Sequence, residues 1–283
     1  MTATTAPAPV RLPAAPSGLT RATRDLTTMT RRNLLRMVRY PSLTVQLVVL
    51  PVVLLLLFVY VFGGAFGAGV DTGIAPGAGG RAAYLDYITP AILVITAASI
   101  AQATAIGVAM DMTGGIVSRL RTMPVAPVAV LGGHVVGAVV QTFLASAVVL
   151  GVALLMGFRP GADAVGWLAL VGFFALFALM LTWLTVAMGA AARSVESASN
   201  TPMILMLLPF FGSGFVPVDT MPTPVRLFAE YQPFTPIIET ARGLLAGGPV
   251  PATTAWTAIG WVLALSVVGG LWARAAYRRP RVS

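Results

Sequence analysis

The 283-residue chain is 57% hydrophobic and only 10% charged, with a mean hydropathy of +0.88, far too apolar for a soluble domain, in which roughly a quarter of the residues are charged. All 18 basic residues behind its net charge of +9 are arginine, and the missing lysine excludes a Gly-x-x-x-x-Gly-Lys-Ser/Thr loop, whose ammonium must reach nucleotide phosphates. The absence of cysteine, with His134 as the lone histidine, excludes disulfides, thiolate chemistry and a histidine metal cluster.

Residues 1–18 are rich in Thr, Ala and Pro and are expected to form a disordered cytoplasmic tail. The first apolar run begins too far in, and is too long, for a cleaved signal peptide. Residues 19–40 are amphipathic at helical spacing: Leu19, Ala22, Leu26, Met29, Leu34 and Met37 fall on one half of the wheel, and Arg21, Arg24, Arg31, Arg32, Arg36 and Arg39 on the other. The expected structure is a helix lying on the inner leaflet; the alternative is a basic topology signal with accidental periodicity.

Residues 41–277 read as an all-α polytopic membrane domain. The six predicted spans are Leu43–Phe62, Tyr84–Met110, Val128–Met156, Val165–Ala191, Asn200–Val216 and Thr253–Ala276, each near or above the roughly 20 residues that cross a bilayer core. Pro51, Pro90, Pro202 and Pro209 predict kinks, most of all in the fifth span. With the N-terminus inside, fourteen arginines are cytoplasmic, against Arg81, Arg159, Arg226 and Arg242 outside. The positive-inside rule therefore gives both termini cytoplasmic, residues 278–283 forming a short C-terminal tail, and the expected location is the plasma membrane. The same inner-leaflet bias explains the positive charge without nucleic acid. Gly133-x-x-x-Gly137 and Gly63-x-x-x-Gly67 offer close helix contacts.

After the second span, Asp111, Gly114 and Gly115 lead into Ile116-Val117-Ser118-Arg119-Leu120-Arg121-Thr122-Met123-Pro124. The glycines allow a sharp exit, the following residues suit a short helix and Pro124 ends it. This stretch resembles the Gly-x-x-x-Arg-x-Arg-x-x-Pro coupling segment of type-2 ABC (ATP-binding cassette) transporter permeases, within them the daunorubicin- and doxorubicin-resistance-like exporters. Ser118 stands where members of that family commonly carry an acidic residue. A second likeness covers Leu208–Pro222, similar to the family's fifth span and its Gly-rich outer turn. A third covers Tyr231–Leu245, similar to its Asn-Pro-x-x-x-x-x-x-x-x-Arg stretch, with Gln232 in the place of Asn and Arg242 at the end.

The resemblance implies six spans, an interfacial N-terminal helix, a cytoplasmic coupling helix and an outer re-entrant hairpin between spans five and six. It implies a non-enzymatic permease that binds no cofactor itself and pairs with a second copy or a paralogue. Each permease docks a separate ATPase subunit, which holds ATP and magnesium. Asp111, Gly114, Gly115, Ser118, Arg119, Leu120, Arg121 and Pro124, with Arg31 and Arg32 of the amphipathic helix, would couple to that ATPase. The pathway would run at the dimer interface between the second and fifth spans, past Thr96, Ser99, Gln102, Thr104, Asn200, Thr201, Met206, Phe210 and Phe211. Its cargo would be a small lipophilic drug, antibiotic or lipid-like compound, moving among membrane lipids. Helix packing is the alternative role for these small and hydroxyl side chains.

Two other functions remain open at this level. One is export of a polysaccharide or lipid-linked glycan, and the other an ion-coupled carrier or membrane enzyme. An ion-coupled carrier normally needs a carboxylate at mid-membrane, and none is expected here. Asp111 is expected at a span end within reach of water, His134 at the inner interface, and Glu230, Glu239 and Arg242 paired with one another over the exit.

Overall fold

In hydrocarbon an α-helix satisfies its own backbone polar groups, and long helices dominate this chain. The computed structural model describes residues 18–39, 41–66, 80–114 and 127–278. Helix α1 (Gly18–Arg39) precedes α2 (Pro41–Leu57), which runs on through a π-helical turn (Phe58–Phe62) into a final turn (Gly63–Phe66). Then come α3 (Arg81–Thr113), α4 (Pro127–Leu155) and α5 (Ala164–Ala191). Two short helices follow, α6 (Val195–Asn200) and α7 (Met203–Leu207), with a 3-10 turn at Leu208–Phe211. The described chain ends with α8 (Thr223–Tyr231), α9 (Phe234–Ala246) and α10 (Ala252–Arg278).

Among the described residues five helices are long and apolar enough to cross a bilayer, over Val45–Phe62, Arg81–Thr113, Ala129–Leu155, Ala164–Ala191 and Ala252–Arg278. Helix α3 is the central one: 78% of its most apolar stretch is buried, against 17% for α2 and α10. The outer helices accordingly present Val53, Val61, Leu168, Val267 and Leu271 outward, as expected of surfaces bathed by lipid.

The fifth predicted span is not one continuous helix. Pro202 and Pro209 supply no N–H to the helical ladder, and the segment breaks at both. Ser194 caps its start by accepting from the Ser197 N–H at 3.1 Å. The segment nevertheless follows α3 for most of its length. At one end Ala192 and Ala198 pack with Ala109, in the middle Gln102 Nε2 donates to the Ser199 carbonyl at 2.9 Å, and at the other end Tyr84 Oη donates to the Phe215 carbonyl at 3.2 Å.

A second apolar cluster joins Val108, Met112, Leu131, Val135, Val186 and Ala187 to Ala273, Ala276 and Tyr277. The C-terminal part of α10 therefore lies where α3 ends and α4 begins, the same end of the bundle as α1. At the opposite end Gly247 adopts φ +69°, open to glycine at little cost, and ends α9 against the Gly161 backbone.

Candidate functional site

The helix expected to lie on the inner leaflet packs against α4. Gly132, Gly133 and Gly137 of α4 leave a shallow face onto which Leu26, Met29 and Asn33 of α1 descend at successive helical turns. A Cβ at Gly132 would stand 2.8 Å from Leu26 Cδ1, and one at Gly137 would stand 3.1 Å from Asn33 Cβ. Only the lack of a side chain lets the two helices approach so closely. Gly133 and Gly137 are the pair marked by the sequence; Gly67 of the other pair lies outside the described residues.

An ion-paired cluster locks this contact. Arg32 of α1 donates through Nη2 to Asp111 Oδ2 at the end of α3, and His134 Nε2 of α4 contacts the same oxygen at 3.0 Å. The Asp111 and His134 side chains are only 10% and 8% exposed, whereas Arg32 is 39% exposed. Asp111 is thus not the water-facing span-end residue expected, nor His134 a simple interfacial one. One carboxylate ties together α1, α3 and α4, three elements flanking the predicted coupling turn. Arg31, the neighbouring coupling candidate, is exposed.

Gly114 ends α3, its N–H donating to the Met110 carbonyl at 2.8 Å. The remaining coupling candidates, Gly115, Ser118, Arg119, Leu120, Arg121 and Pro124, lie outside the described residues.

The nine predicted pathway residues divide. Ser99, Gln102, Thr104 and Met206 line a cavity of about 790 Å³, together with Asn33 and Met37 of α1, Gln46, Leu47 and Leu50 of α2, and His134, Gly137 and Gln141 of α4. Its volume falls in the range of small-molecule sites. Thr96 is buried and bonds the Ile92 carbonyl of its own helix. Asn200 and Thr201 are exposed. Phe210 stacks on Phe215 with ring centroids 4.5 Å apart, and the half-exposed Phe211 meets Phe228 edge-on. The second predicted span, α3, thus supplies the largest share of the described cavity wall, with α1, α2 and α4 completing it and the fifth predicted span contributing Met206.

The model of the family described as ABC-2 type transporter matches residues 24–246, most of the chain, from α1 to the end of α9. This chain belongs to the ABC-2 type transporter family. It is 27% identical over 184 residues to the daunorubicin resistance ABC transporter permease protein DrrB1 of Streptomyces coeruleorubidus, covering 65% of this chain and 63% of that protein. It is 22% identical over 192 residues to the probable doxorubicin resistance ABC transporter permease protein DrrC of Mycobacterium tuberculosis, covering 68% of this chain and 69% of that one. The match to DrrB1 therefore spans somewhat less than two thirds of that relative's length.

At the end of the ABC-2 domain remote from α1, an irregular strand of backbone is held by side chains. The carbonyl of Ser213 accepts from Tyr87 Oη at 2.8 Å and from Arg242 Nη2 at 2.6 Å, while Arg242 Nε donates to the Tyr87 carbonyl at 3.2 Å. The guanidinium also lies 3.8 Å over the Tyr87 ring, and Gln232 Nε2 donates to the Leu208 carbonyl at 3.2 Å. Burial pulls the Arg242 pKa below its ordinary value, opposed by Tyr87 and Glu239. Backbone outside a helix survives at membrane depth only where protein satisfies it, and these bonds, with Tyr84 Oη on the Phe215 carbonyl, satisfy the Ser213 and Phe215 carbonyls. Of the expected grouping, Glu239 acts electrostatically on Arg242 while Glu230 stands apart. Glu230 pairs with Arg226 at 2.7 Å, four residues away on α8, while Arg242 turns to backbone carbonyls it can reach.

Proposed function

We propose that this chain is one permease half of an ATP-driven exporter of a lipophilic drug, antibiotic or lipid-like compound. A separate nucleotide-binding subunit docks on each of two permeases, identical or related, and hydrolyses ATP with magnesium. The broken segment from Val195 to Pro217 serves as the fifth of six crossings. Its path along α3, from Ala109 to Tyr84, supports this, as does the shared location of α1 and the end of α10. The arginine bias puts that shared end in the cytoplasm of a plasma-membrane protein.

The observation that carries the proposal is the Asp111 cluster. An ATPase pushing on α1 or on the turn after α3 moves α1, α3 and α4 as one body, because a single buried carboxylate joins them. Closure of the two ATPases then becomes a tilt of the spans. The drug-resistance names of the relatives favour a drug as cargo, and the described cavity wall carries no aromatic platform of the sort that suits a glycan.

The test is Arg119→Glu combined with Arg121→Glu, reconstituted with the ATPase partner in vesicles loaded for daunorubicin transport. The expected result is a permease that inserts at the wild-type level and loses ATP-dependent transport at least tenfold. Unchanged transport in the double variant would refute the coupling role of the turn, and vectorial transport without any ATPase would refute the whole assignment.

A further inference from the structure

Four carboxamides from four different helices converge on the cavity: Asn33 of α1, Gln46 of α2, Gln102 of α3 and Gln141 of α4. The chain has only four glutamines and two asparagines, so most of its amides meet at this one place, which uniform scatter along six apolar spans would not produce. Asn33 Nδ2 is buried and has no hydrogen-bond partner among the described residues. Gln102 spends a donor on the Ser199 carbonyl, and the Ser99 and Thr104 hydroxyl protons are committed to carbonyls of their own helix. The cavity therefore offers amide donors and acceptors together with hydroxyl lone pairs, set in an otherwise apolar wall.

Charge is what the described wall lacks. It includes neither a carboxylate nor an arginine, and its one titratable residue is His134. Asp111, in contact with His134, is already engaged by His134 and Arg32 on the same oxygen. A cationic amine entering the cavity would leave water and meet no counter-charge among the described lining residues, which a low-dielectric site penalises strongly. An uncharged molecule of similar shape would exchange its water hydrogen bonds for those of the amides.

Resting on the exporter reading above, we infer that the amide-lined cavity between α1, α2, α3 and α4 is the cargo chamber, and that it selects uncharged, hydrogen-bonding lipophiles over cationic ones. Because Asn33, His134 and Gly137 belong both to its wall and to the docking face of α1, filling it also stabilises the docked position of that helix.

The test uses the full chain in detergent micelles and a matched pair of fluorescent probes: daunorubicin, an ammonium at neutral pH, and N-acetyldaunorubicin, its uncharged amide. Anisotropy titration should give a Kd at least tenfold lower for the uncharged probe. Gln46→Leu with Gln141→Leu should raise that Kd at least tenfold, and Gln141→Glu should shift the preference at least tenfold toward the cation. Equal or tighter binding of the cation by the wild type, no binding of either probe, or a preference untouched by Gln141→Glu would each overturn the inference. Export by the ATPase-bearing complex is measured on the same preparations. Export without binding here sinks the chamber and leaves the exporter standing, whereas selective binding without any ATP-dependent export does the reverse.

Discussion

Replacing Asp111 with alanine removes the oxygen on which Arg32 and His134 converge. A hydrogen bond to a charged group contributes about 1.5–3 kcal/mol, and the Arg32 contact falls below that range because its side chain is 39% exposed. Of the two partners only Arg32 belongs to α1, so removing the carboxylate costs about 1 kcal/mol of α1 docking. That corresponds to a roughly fivefold rise in the undocked population. The chain has no cysteine, so Met29→Cys provides a single thiol beneath α1, where Met29 presses against Gly133. When docking and undocking are fast, maleimide labelling tracks the open fraction. The labelling rate should therefore rise about fivefold in Asp111→Ala and in Arg32→Ala alike, since both lose the one contact of this cluster that reaches α1. A rate within twofold of the parent in Asp111→Ala, with the protein still monodisperse, would show that the cluster does not hold α1.

The same thiol reports on the glycine face. Gly133→Ile should free α1 by overlap with Met29, costing about 1–3 kcal/mol of docking, whereas Gly151→Ala, where an added Cβ meets nothing within 4 Å, should leave the labelling rate unchanged. At the other end, Arg242→Ala withdraws donors from the carbonyls of Tyr87 and Ser213. A loss of about 2 kcal/mol should lower the melting temperature in detergent by roughly 5 °C. Arg242→Lys, a point charge without the planar fork, should restore only part of it.

The apolar runs, their lengths and the amphipathic start were legible because each depends on local periodicity. α1 occupies Gly18–Arg39, close to the 19–40 read from its wheel, and the α3 and α5 helices reach within a few residues of their predicted bounds. Pro202 and Pro209 announced trouble in the fifth run, and the backbone breaks there. The Gly133 and Gly137 pair was visible as spacing, but its partner was not, since a small-residue motif carries no record of which helix fills it. His134 and Asp111 could have been suspected together as the lone histidine and a lone acid flanking the same turn. Four of the nine pathway residues reach the cavity. Of the rest, Thr96 is buried and bonds its own helix, Phe210 stacks on Phe215, and Asn200, Thr201 and Phe211 are exposed along the broken segment.

What the sequence determined alone is everything set by the solvent: with 57% apolar residues and arginine in place of every lysine, the chain has to satisfy its backbone in helices within a bilayer and cannot form a lysine-bearing phosphate loop. Tertiary structure decided which polar groups meet. Asp111 with Arg32 and His134, Arg242 with the Ser213 carbonyl, and the amides of four helices around one cavity all lie far apart in the chain. In a low-dielectric interior a polar group must find a partner or a ligand, and only the packing of the helices determines which one stands within reach.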